Sequence, residues 1–215
     1  VAMKSALPVG EYVVLFVGMD AYGRLSGNYS YFEYTKEAPQ NKAAYEDYLG
    51  KWVVERGTGK DIWEITAKEE GKSYNITGFE ANSFGAVVTA VYTADGGMTI
   101  SSQNGLASVN TGDTYGVVDI AVYGQYYDEE DAKNYLYPRD ALICKAMLNE
   151  DGSATLTPGS LKWSDGTTST FSAIIMYGVT TDSKYLSFTS AHYALPATIT
   201  RPAAASEGYT KWLGD

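Results

Sequence analysis

Few residues in this chain have the type and spacing for chemistry. One histidine, His192, stands between Ala191 and Tyr193 shortly before Pro196, and one cysteine, Cys144, alternates with Leu142 and Ala146 as on a strand. A histidine-based triad has a single candidate centre, and no Gly-x-Ser-x-Gly elbow or supported Cys-His arrangement accompanies it. Cys144 reads as a buried, inert thiol. One His and one Cys cannot furnish a conventional zinc site. The acidic run Asp128-Glu129-Glu130-Asp131 lacks the alternating ligands and turn glycine of a calcium loop, and reads as a solvated face. Paired carboxylates for glycoside hydrolysis are not picked out by any spacing among the 26 acids. The reading is therefore not an enzyme, with no cofactor and no metal.

Aromatic residues are the richer supply. Tyrosine occurs 19 times against 6 Phe. Such a bias suits β-structure, where the ring packs and the hydroxyl stays wet or finds a partner, and it also suits sugar binding. Both readings stand at this point.

The elements that must position these residues are strands. Ser73 to Phe79 alternates with period 2, and Asp61 to Ala67 precedes it across the charged turn Lys68 to Lys72. Gly85 to Thr93 and Met98 to Ser102 join at Asp95-Gly96-Gly97. Further strands read as Tyr115 to Tyr123, Ala141 to Leu148, Ser153 to Thr157, Phe171 to Gly178, Tyr185 to Thr189 and Ala197 to Arg201, with Asp-Gly, Asn or Ser turn chemistry between most of them. The expected fold is all-β and meander-like. The one helix candidate, Glu129 to Tyr135, sits inside a connection from Gly124 to Asp140 that is long for a hairpin and reads as a lid, a plug or a solvated loop.

Composition bounds the partners. With 45% hydrophobic and 20% charged residues, the 215-residue chain buries a core. A net charge of -10 argues against nucleic acid, whose phosphates select concentrated Lys and Arg. No apolar stretch approaches the roughly 20 residues of a transmembrane helix.

Two segments carry resemblances. Leu7-Pro8-Val9-Gly10-Glu11-Tyr12, the apolar run Val13 to Val17, and a second Tyr-rich strand from Tyr29 to Thr35 resemble the last two strands of a fibronectin type III or immunoglobulin-like sandwich. The resemblance implies a tyrosine-corner role for Tyr12. From Gly50-Lys51-Trp52 to Thr198-Ile199-Thr200-Arg201 the chain resembles the lipocalin-like, or calycin, pattern. That resemblance implies an antiparallel up-and-down barrel of about eight strands, closed structurally by Gly50, Trp52 and Arg201, with the guanidinium over the indole. Trp63, Tyr74, Tyr92 and Tyr177 are then the candidates for a ligand-lined lumen, each taken from an alternating strand and each reading first as plain core.

The phrase Tyr-x-x-Tyr-Leu-Gly-Lys-Trp at Tyr45 to Trp52, with the Trp-x-Ile and Tyr-x-Ile-Thr-Gly strands after it, is similar to lipocalin-like domains of exported Bacteroidetes lipoproteins. This implies export to the periplasm or outer-membrane surface of a Gram-negative bacterium, with room for a lipid anchor upstream of Val1. Tyr209, Trp212, Leu213 and Gly214 repeat the spacing of Tyr45, Tyr48, Leu49 and Gly50, as the opening of a further module would. The organisation expected is residues 1–37 as the end of an immunoglobulin-like domain, 38–47 as linker, 48–202 as barrel, and 203–215 as linker and the start of a following module. Two functions remain open: a module binding a glycan or small hydrophobic molecule in or at the mouth of the barrel, or a structural spacer or protein-interaction module whose barrel is filled.

Overall fold

The computed structural model describes residues 10–34, 42–57, 59–112, 114–186 and 192–203. It separates into two units, 1–42 and 43–215. In the first, β1 (Gly10–Met19) and β2 (Leu25–Tyr34) form an antiparallel hairpin in continuous register from Gly10 opposite Tyr34 to Met19 opposite Leu25. The turn between them is closed by Asp20, which accepts from the Tyr22 and Arg24 amides at 2.9 Å. Tyr12 lies opposite Phe32 in this ladder, but its side chain falls outside the described residues. So does the whole of the Tyr209–Gly214 repeat.

The second unit is a nearly closed antiparallel β-barrel compatible with a lipocalin-like fold. It opens with β3 (Gly50–Arg56), β4 (Gly59–Glu69), β5 (Ser73–Thr77), β6 (Val88–Tyr92) and β7 (Met98–Ser101), each paired with the next. The chain then leaves the barrel for β8 (Gln103–Asn110), β9 (Val117–Asp128) and β10 (Lys133–Tyr137). It returns as β11 (Leu142–Leu148) and β12 (Ala154–Pro158), and leaves again for β13 (Ser160–Lys162), β14 (Thr168–Thr180), β15 (Tyr185–Leu186) and β16 (His192–Ala194). The last strand, β17 (Ala197–Ile199), pairs with β12. The barrel is thus an eight-stranded sheet in the order β17-β12-β11-β7-β6-β5-β4-β3. Its margins meet where Val53 and Thr200 exchange backbone hydrogen bonds of 2.7 and 3.2 Å.

The two excursions find each other. β9 and β14 pair from Val118–Thr180 to Tyr126–Phe171, with β8 and β10 on one flank and β13, β15 and β16 on the other, making a second curled sheet. A simple meander is corrected accordingly: two barrel strands are reached only after detours, because long β9 and β14 satisfy their backbone groups on each other. The helix expected at Glu129 to Tyr135 is also absent. Asp128 accepts from the Glu130 and Asp131 amides at 2.9 and 3.2 Å, which closes a turn, and Lys133–Tyr137 then pairs with β9. The Gly124–Asp140 connection is therefore neither a lid nor a loop; most of it is strand.

Alternation fixes which side chains fill the barrel. Trp52 and Val54 on β3, Trp63 and Ile65 on β4, and Tyr74 and Ile76 on β5 are wholly buried, while Lys51, Glu64 and Thr66 between them are exposed. Val88, Ala90, Met98, Ile100, Cys144, Leu156 and Ile199 continue the lining, and one hydrophobic cluster connects them to Ile120, Ile174 and Met176 of the second sheet. Three hairpins share one turn chemistry. In Thr93–Gly97, Asn149–Ser153 and Trp163–Thr167, a glycine with positive φ follows an aspartate and donates to the carbonyl three residues back.

Candidate functional site

Both ends of the barrel are built from specific side chains. At the end where β3 begins, a one-turn 3-10 helix, Tyr45–Tyr48, drops two phenols into the barrel. Tyr45 falls in the stretch 38–47 expected to be linker and Tyr48 in the expected barrel, and both belong to the one buried hydrophobic cluster. The Tyr45 ring stacks on Tyr74 at 4.4 Å between centroids, and Tyr92 meets Tyr45 edge-on at 5.8 Å. Every hydroxyl of this plug donates to a backbone carbonyl: Tyr45 to Ser73 at 2.8 Å, Tyr74 to Tyr45 at 3.0 Å, Tyr92 to Ala43 at 2.7 Å, and Tyr48 to Gly96 and Ala146 at 3.0 and 3.2 Å. Burial pushes the Tyr48 phenol up to about 12 and raises Tyr74 as well.

The same end is capped by Arg201. Its guanidinium carbon lies 3.8 Å from the centroid of the Trp52 ring. The guanidinium also donates to the carbonyls of Asp47 at 2.6 Å and Leu49 at 2.8 Å, while Trp52 Nε1 donates to the Tyr48 carbonyl at 2.8 Å. Gly50, with φ of +102°, carries the chain out of the 3-10 turn, and a Cβ there would come 3.2 Å from the Arg201 guanidinium.

At the opposite end, aromatic and charged groups combine. Trp63 stacks on Phe79 at 4.4 Å, and Tyr193 of β16 meets both rings edge-on at 5.3 Å. Asp61, only 4% exposed, accepts from the Tyr193 hydroxyl at 2.6 Å and the Glu80 amide at 2.8 Å, and its carboxylate stands 3.2 Å from Arg56 Nε. Four separate segments, β3, β4, the 3-10 turn Phe79–Gly85 and β16, are tied at one carboxylate. Burial raises the Tyr193 pKa, with the hydrogen bond to Asp61 acting in the same direction. A buried charge held by three partners belongs to a structural joint, since removing any one of them leaves the others desolvated.

Of the four lumen candidates, Tyr74 and Tyr92 meet in the plug, and Trp63, directly opposite Trp52 in the β3–β4 ladder, packs against Phe79 and Tyr193. Tyr177 is corrected: it lies on β14 opposite Ala121, in the second sheet and not in the barrel wall. Period-2 alternation gives a residue's face but not its sheet. The sequence reading missed Tyr48, Asp61 and Tyr193 as site residues. Asp61 shares its phase with Trp63 and Ile65, and that phase was the available signal for an inward-facing carboxylate.

Among the described residues the candidate catalytic groups, His192 and Cys144, do not come together. His192 is exposed, with Nε2 3.2 Å from Gln125 Oε1. Cys144 is buried and its thiol is pushed up to about 12 by desolvation. Among the described residues no group of His, Cys, Asp and Glu is placed to hold a metal ion, and no helix is long and apolar enough to cross a membrane. A groove of about 400 Å3 runs along the outer face of β3 to β5, between Lys51, Lys60, Ile62, Glu64 and Thr77. Compared with protein-family models, curated proteins and solved structures, the chain matches none.

Proposed function

We propose that residues 43–203 are a non-catalytic scaffold: a filled barrel that spaces neighbouring modules and presents surfaces to other proteins. One observation carries the reading. The side chains that would line a ligand cavity, Trp52, Trp63 and Tyr74, are each 0% exposed: Trp52 and Tyr74 donate to backbone carbonyls, and Trp63 is packed against Phe79 and Tyr193 with its buried Nε1 unpaired among the described residues. Ring-to-ring stacking at 4.4 Å at both ends leaves the aromatic faces already covered. A lumen for a small hydrophobic molecule would need these rings to be exposed to it. The resemblance to exported lipoproteins adds a setting outside the cytoplasm, at the periplasm or outer-membrane surface of a Gram-negative bacterium, which cell fractionation checks.

Titration with palmitate and with an apolar fluorescent dye, followed by tryptophan emission and thermal shift, tests the filled barrel. The expected result is no saturable change in either signal. Stoichiometric palmitate binding that a Trp63→Phe variant weakens would sink it.

A further inference from the structure

The second sheet carries an aromatic cluster at the margin of the core: Phe171 belongs to the buried hydrophobic cluster, and Tyr126, Tyr137 and Trp163 pack against that cluster while keeping part of their surface exposed. Tyr126 on β9 lies opposite Tyr135 of β10 on one side and Phe171 of β14 on the other, and partners across an antiparallel ladder project from the same face. One register step inward, Tyr137 lies opposite Gly124, where a Cβ would come within 2.3 Å of the Phe171 ring. The missing side chain lets Phe171, 1% exposed, spread as a floor. Around it stand Tyr137 at 6.2 Å, Trp163 6.0 Å from Tyr137, Tyr126 5.4 Å from Trp163, and Tyr135 5.9 Å from Tyr126 with the two planes 29° apart. All four surrounding rings are only partly buried.

These rings are held in place. Trp163 Nε1 donates to Ser169 Oγ at 2.8 Å, and the Tyr135 hydroxyl donates to the Asp131 carboxylate. The Tyr126 and Tyr137 hydroxyls have no protein acceptor among the described residues. Beside them the turn Asp128–Ala132 supplies carboxylates, with Asp128 on the same face as Tyr126 and opposite Lys133.

We propose that this face, centred on Tyr126, Tyr135 and Trp163, is a binding platform for a short neutral oligosaccharide. A pyranose offers polarised C–H groups on one face, which suit the negative face of an aromatic ring, and hydroxyl donors at its edge, which suit carboxylate and phenol acceptors. Anionic ligands are repelled by the acidic turn and by the net charge of -10. A proline-rich peptide has few N–H donors for an acceptor-rich rim, and Trp163 has already committed its own N–H to Ser169. The platform lies outside the barrel, so it stands or falls separately from the filled-lumen reading.

The test uses the whole chain, titrated with cellotriose, xylotriose, maltotriose and chitotriose by calorimetry and by amide and aromatic chemical-shift mapping. At least one trisaccharide is expected to bind, with shifts confined to the β9–β10 tip and the Trp163 turn. A Tyr135→Ala variant is expected to weaken it about tenfold, the equivalent of ~1.4 kcal/mol. Tyr126→Phe keeps the ring and the packing while removing one hydroxyl, and is expected to weaken binding by a smaller factor. Should Tyr135→Ala fail to fold, the unmodified chain's shift map decides. The proposal is overturned if none of the four binds, if the shifts map to the β3–β5 groove, or if a basic or proline-rich peptide occupies the rings while no saccharide does.

Discussion

Replacing Arg201 with methionine removes the guanidinium from Trp52 while keeping most of the aliphatic stem. The stack at 3.8 Å contributes ~0.5–2 kcal/mol. The bonds to the Asp47 and Leu49 carbonyls are short and charge-assisted but sit at an exposed rim, so each adds about 1 kcal/mol. Against this, freezing an arginine side chain costs ~1.5–2 kcal/mol. The expected loss is therefore about 1–2 kcal/mol. All four tryptophans lie beyond residue 43, so urea unfolding followed by tryptophan emission reports on the barrel unit and not on the β1–β2 hairpin. With a urea slope of about 2 kcal/mol/M the midpoint falls by roughly 0.5–1 M. Arg201→Lys, which cannot span two carbonyls and the ring face together, recovers less than half of the loss. A midpoint for Arg201→Met indistinguishable from that of the parent chain would refute the reasoning, because the cap would then contribute nothing beyond its entropy cost.

Other perturbations follow from the same geometry. A Cβ at Gly78, where φ is +92°, would lie 1.9 Å from the Ile62 carbonyl, so Gly78→Ala is expected to abolish the folded barrel; Gly152→Ala, with φ of +80° and open space, costs only about 1–2 kcal/mol in the same urea assay. Tyr48 holds its proton up to about 12 when folded, whereas an unfolded tyrosine ionises near ~10, so stability is full below about pH 10 and declines as pH rises toward 12. Urea midpoints across that window check this, and Tyr48→Phe should show a shallower decline. The Cys144 thiol, buried and pushed up to about 12, is expected to react with an aromatic disulfide reagent only through unfolding, at a rate that does not rise with reagent at high concentration; rapid labelling of the native chain would contradict its burial.

Local pattern made much of the barrel legible. Ser73–Thr77 and Asp61–Ala67 alternate because one face is packed and the other wet, and the Asp-Gly turns at Asp95, Asp151 and Asp165 mark hairpins through the positive φ that the following glycine supplies. The pairing of β9 with β14 was not legible, since it joins segments far apart in the chain and no periodicity records which distant strand satisfies a backbone. Gln103–Asn110 also escaped notice: as a flank of the second sheet it is only partly buried and its alternation is blurred. The helix expected at Glu129 to Tyr135 gave way to a turn because Asp128 accepts from the Glu130 and Asp131 amides, after which Lys133–Tyr137 pairs with β9. At the site, Trp52 and Arg201 were named through the lipocalin-like resemblance, whereas the plug depended on Tyr45 and Tyr48, whose depth no one-dimensional pattern encodes.

The seam between β3 and β17 also governs how the unit would respond to tension. The chain enters through Tyr45–Gly50 and departs through Arg201 at the same rim, so pulling the two ends apart peels the seam from that rim instead of shearing all its bonds together. Arg201 on Trp52 is the first contact to give way, followed by the Val53–Thr200 pair. Such a unit would yield early when stretched, with the guanidinium acting as its clasp.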